Sequence, residues 1–167
     1  MISKPLFMKK YRTNGAIGAL LDEYQKSIFE LQSIIKNISQ QQLTTIADPE
    51  TKDPDCRSIQ TILTHVLGSG YYYATAIRQS LGENVDLDEG QILTSVEKYD
   101  TALNEMFAYN EQLFEDYPHM KIEEYETSKK ILTRWGQTYD PEQILEHAIV
   151  HILRHRRQIE RFLLKMA

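Results

Sequence analysis

The chain has 167 residues, of which 41% are hydrophobic and 26% charged, and its net charge is -5. That is long enough for one domain over residues 1–167 with a real core, and the acidic balance gives no support to a nucleic-acid partner. No run approaches the ~20 consecutive apolar residues that span a bilayer, so no membrane role is expected.

At the N-terminus, Lys4, Lys9, Lys10 and Arg12 resemble the basic region of a signal peptide. The apolar run that follows, residues 16–21, stops at Asp22-Glu23 and is too short to complete one. The first helix is expected from about Gly15 to Lys36, with Asn14 as N-cap. Ile17, Leu20, Leu21, Tyr24, Ile28, Leu31, Ile34 and Ile35 recur in steps of three and four and form one apolar stripe.

The single cysteine, Cys56, has no intramolecular disulfide partner, which fits a reducing compartment and a cytoplasmic location. It reads as a structural residue just before the second helix, because nothing nearby in sequence lowers its pKa. That helix is expected over Ile59–Leu81, capped by Ser58 and stopped by Gly82, with Ile62, Val66, Tyr73, Ala76 and Ile77 in its stripe. The third helix opens at Thr94-Ser95-Val96-Glu97, a capping-box pattern, and ends before Pro118. About thirteen residues precede it and reach ~43 Å when extended, long enough for the second and third helices to run parallel. The next connection is longer still and contains Trp135; a short helix or a hairpin are both open there. The fourth helix starts at Asp140-Pro141-Glu142-Gln143, with an N-cap acid and proline at the first helical position, and runs nearly to the C-terminus. Four amphipathic helices of ~22 residues, each ~33 Å long, suit an all-α four-helix bundle with long second and third connections.

Three histidines stack on the last helix. His147, His151 and His155 are spaced by four residues, about one turn, so neighbours share a face. On a helical wheel His155 falls inside the apolar arc, His151 near its edge and His147 a further ~40° out. His147 and His155 are ~12 Å apart along the axis, too far for two bonds of ~2.1 Å to one ion. The favoured pair is therefore His151 with His155, and His147 with His151 is the alternative. His65, at the border of the second helix's stripe, supplies a third imidazole. Three imidazoles with open positions are what a catalytic metal requires, and they suit Zn, Ni or Fe. A histidine on a helix is often just a hydrogen-bonded core residue. Burying several neutral imidazoles is costly unless their nitrogens find partners, and a metal provides one per ring.

Other chemistry is poorly represented. There is no His-Glu-x-x-His, no helical Glu-x-x-His, no phosphate-cradling glycine loop and no nucleophile elbow. No carboxylate stands out as a general acid or base. Tyr72 shares a face with His65, and Trp135 and Tyr139 are either pocket wall or loop anchors. Arg154, Arg156, Arg157 and Arg161 spread around the last helix as solvated or ion-paired positions.

Two segments carry a family resemblance: Arg57-Ser-Ile-Gln-Thr-Ile-Leu-Thr-His65, and His151-Ile-Leu-Arg-His155-Arg-Arg-Gln158. In their order and separation the chain resembles the DinB/YfiT-like superfamily of bacterial four-helix proteins. The resemblance implies an up-down-down-up bundle holding one divalent metal ion, commonly nickel or zinc, on His65, His151 and His155. It further implies a small-molecule substrate, a low-molecular-weight thiol as co-substrate in the transferase and isomerase relatives, metal-dependent hydrolysis in others, and frequent homodimers. Two departures stand out: a third stacked histidine, His147, and Arg157 where the family often has glycine. A non-catalytic bundle, in which metal or dimerisation only stabilises the fold, is the competing reading. A fourth ligand closing the site would favour it, and an open position facing a pocket would favour an enzyme.

Overall fold

The computed structural model describes residues 11–166. Lys4, Lys9 and Lys10, and with them the reading of the basic stretch, lie outside the described residues. Four long helices, α1 (Gly15–Ile35), α3 (Ile59–Ser80), α4 (Val96–Asp116) and α5 (Pro141–Met166), match the four expected segments to within a few residues. The short α2 (Gln40–Thr44) was not anticipated; Ser39 and Gln42 cap it reciprocally, and it buries only Leu43.

The helix ends follow mostly from local chemistry. Ser58 accepts a hydrogen bond from the Thr61 backbone while the Thr61 hydroxyl receives the Ser58 N–H, closing a capping box on α3. Its far end stops at Leu81, and Gly82 takes the left-handed conformation (φ +93) that turns the chain out. Asp140 and Gln143 form the same reciprocal cap on α5. Two expectations are corrected. Asn14 makes no side-chain cap bond. The cap of α4 is Ser95 rather than Thr94, with the Ser95 hydroxyl accepting from the Lys98 backbone.

Each long helix contributes to one core. Tyr24, Ile28, Leu31, Ile62, Val66, Leu103, Met106, Ile152 and Ile159 are all essentially buried in it. Side chains of this size contribute about 1.5–3 kcal/mol each on burial. The cross-helix contacts form ordered series. Between α3 and α4, Thr64 meets Tyr99, Gly70 meets Asn110 and Arg78 meets Asp116, so both numbers rise together. Between α1 and α4, Gln32 meets Asn104 and Tyr24 meets Phe107, so one rises as the other falls. Glu30 of α1 pairs with Arg156 of α5. His65 of α3 lies against His155 while Tyr73, two turns on, lies against His147.

Two connections reach the site. Residues 81–95 fold back over α3 at Gly68, where an added Cβ would lie 2.3 Å from the Glu89 carbonyl oxygen; only glycine admits that approach. Between α4 and α5 the chain makes a 3-10 turn at Thr127–Lys129 and then a hairpin, β1 (Ile131–Leu132) against β2 (Thr138–Tyr139) in antiparallel register. Both possibilities for this segment, a short helix and a hairpin, are therefore realised in turn. No helix among the described residues is long and apolar enough to cross a membrane.

Candidate metal centre

The site lies where α3 faces α5. His65 projects from the second turn of α3, and His151 and His155 from successive turns of α5. One ring nitrogen from each falls within 4.8 Å of the others. The Nε2 atom of His151 is 3.0 Å from that of His65 and 3.2 Å from that of His155. Both separations are shorter than the ~4.2 Å that two bonds of ~2.1 Å to one ion can span. His155 is 1% exposed and His151 8%.

The outer ring nitrogens are also engaged. Nδ1 of His65 is 3.2 Å from the Asp55 carboxylate, and Nδ1 of His155 is 3.1 Å from the Gln158 side-chain oxygen. Asp55 is delivered by a 3-10 turn, Pro54–Cys56, that packs against α3 and is capped by Asp53. These acceptors place a proton on each Nδ1 and leave the Nε2 lone pairs of His65 and His155 both pointing at His151 Nε2. That nitrogen carries at most one proton and can donate it well to only one of them. A cation at the centre removes the conflict, so the residues present fit a metal ion.

Electrostatics favour the same state. Burial, with the His155 and His65 imidazoles alongside, pushes His151 down to about 2. Burial and the neighbouring His65 push His155 down to about 4. Both rings are neutral at pH 7, the form that binds metal.

His147 does not join the group. Its ring stacks on the Trp135 indole at 4.6 Å between centroids and lies 6.2 Å from the His151 ring. Burial lowers its pKa as well. Cys56 is half-buried, with its thiol 3.7 Å from the Gln158 side-chain oxygen; burial pushes its pKa up, which opposes a nucleophilic role. Among the arginines of α5, Arg156 is ion-paired with Glu30, and Arg154, Arg157 and Arg161 are exposed.

A pocket of about 330 Å³ opens beside His65, lined by Asp55, Thr64, Gly68, Ser69, Glu89 and Arg134. Asp55, Glu89 and Arg134 escaped sequence reasoning. They come from polar connecting segments without periodicity, and only the fold brings them to α3. Tyr72, singled out for sharing a face with His65, accepts a hydrogen bond from the Arg134 backbone at 2.8 Å and so anchors the hairpin tip. Trp135 and Tyr139 pack on His147 and on each other.

A family model described as the DinB family matches residues 10–166, nearly the whole chain. The chain belongs to the DinB family. The two segments that carried the resemblance, ending at His65 and spanning His151–Gln158, are the ones that meet at the centre of this DinB fold. No curated protein and no solved structure matches the chain.

Proposed function

We propose that this DinB protein is a single-domain, metal-dependent enzyme of the cytoplasm that binds one divalent ion on His65, His151 and His155. In this reading it acts on a small molecule by hydrolysis or by thiol-dependent group transfer. The observation that carries the metal assignment is the convergence of three imidazoles on one point, two of them oriented from behind by Asp55 and Gln158. Such outer partners fix ring orientation and raise ligand basicity. Bound there, nickel or zinc would supply Lewis acidity, easing deprotonation of a water or thiol and polarising a carbonyl.

The chain's own residues define the rest. The pocket beside His65 gives substrate a route to the open side of the three histidines. His147, held against Trp135, does not close that side, which favours an enzyme over a purely structural site. The contact series between helices support the up-down-down-up order: α3 and α4 advance together, while α1 opposes α4 and α3 opposes α5.

The deciding experiment is elemental analysis of untagged protein purified without added metal, alongside His65→Ala and His155→Ala. About one equivalent in the wild type and loss in both variants is expected. Near-zero metal after every reconstitution would refute the assignment.

A further inference from the structure

Arg134 stands out in the pocket beside the three histidines. It lies at the hairpin tip, 62 and 65 positions from the two α3 residues it touches, and is held there by three contacts. Its backbone N–H donates to the Tyr72 hydroxyl at 2.8 Å, its guanidinium lies over the Tyr72 ring at 4.4 Å, and its Nη2 donates to Ser69 at 3.2 Å. Arg134 is exposed and no carboxylate among the described residues pairs with it, whereas the more buried Arg12, Arg78 and Arg156 each have at least one. Ser69 is one helical turn, about 6 Å, beyond His65 on α3. The guanidinium and His65 therefore line the same pocket, about one helical turn apart along α3.

We infer that Arg134 is a specificity-determining residue that binds a carboxylate on the substrate while the substrate's reacting group lies at the three histidines; this rests on the metal-dependent reading above. An arginine fixed in place without a counter-ion presents its remaining donors in the planar fork that matches a carboxylate. Asp55 and Glu89 line the pocket too, and they raise the cost of a second negative charge at the guanidinium, which favours a singly charged carboxylate over a dianionic phosphate at that position. The spacing suits a ligand in which two or three carbons separate the metal-seeking atom from the carboxylate.

The test uses cobalt(II)-loaded protein and two probes of equal size, 3-mercaptopropionate and its neutral amide 3-mercaptopropionamide. Thiolate-to-cobalt charge-transfer absorption reads ligation directly, without turnover. The acid-to-amide affinity ratio is compared in wild type, Arg134→Met and Arg134→Lys. A ratio about tenfold higher in wild type than in Arg134→Met is expected, the size of one charge-assisted hydrogen bond at a wet pocket, with Arg134→Lys between them. Equal ratios in wild type and Arg134→Met would overturn the role of Arg134. So would failure of both thiols to bind protein that elemental analysis shows to hold one cobalt. Absence of bound cobalt would instead overturn the metal reading and this inference with it.

Discussion

Replacing Asp55 by asparagine removes one charge behind His65 and little else, because the side chain keeps its size and an acceptor oxygen. The Asp55 carboxylate is 3.2 Å from His65 Nδ1, and the imidazole and one metal bond place it about 7 Å from a divalent ion. At that distance a unit negative charge attracts a dication by about 1.2 kcal/mol in bulk water and about 2.4 kcal/mol at half that dielectric. The Asp55 side chain is 56% exposed, so the true value falls between these limits. Metal affinity should drop about 8- to 60-fold, in line with losses seen on removing partners of metal-bound imidazoles. Competition against a chromophoric chelator measures the change, and raised ionic strength should narrow it, since the carboxylate is exposed. Thermal melts of the metal-free proteins control for folding; they should coincide, because the turn is held by the Asp55 backbone N–H on Asp53, which the substitution leaves intact. An Asp55→Asn affinity within twofold of wild type would mean that His65 does not bind the ion through Nε2 with Asp55 behind it.

His147→Ala should retain about one equivalent of metal by elemental analysis, whereas His151→Ala should retain none; loss in both would place His147 among the ligands. Metal-free protein should lose stability as pH falls below about 6.5, because His155 and His151, held down to about 4 and about 2, stay neutral in the folded chain while the unfolded chain takes up protons. Each ring then accounts for about 1.6 kcal/mol lost between pH 6.5 and pH 5, read from urea unfolding at the two pH values, and no loss across that range would contradict the burial of the pair. Gly68→Ala forces a methyl against the Glu89 carbonyl and should cost about 1–3 kcal/mol, seen as a lower melting temperature; an unchanged melt would show that residues 81–95 do not rest on α3.

The helices were legible because their signals are local. The apolar stripe of α1, the Ser58 and Asp140 caps and the Gly82 stop all act within one or two turns, and each appears where the sequence puts it. The histidine group was legible for a related reason: spacing by four turns His151 and His155 to one side of α5, leaving only His65 to be supplied from afar. The displaced cap of α4 was a choice between adjacent residues, Thr94 and Ser95, that differ by one methyl group. What surrounds the histidines was not legible. Asp55 and Arg134 are drawn from a 3-10 turn and a hairpin tip, and what fixes Arg134 is its contacts with two residues of α3, Ser69 and Tyr72, more than sixty positions away. Such residues obey no period, so they emerge only once the helices have been packed.

The chain contains one tryptophan, and the hairpin presses it face to face on His147, a single turn from His151. Its emission therefore carries no background from other indoles. Lifting of the hairpin from α5 would register as a change in that single emission, so fluorimetry on the unlabelled protein tests whether the hairpin stays seated on the helix that carries the histidines.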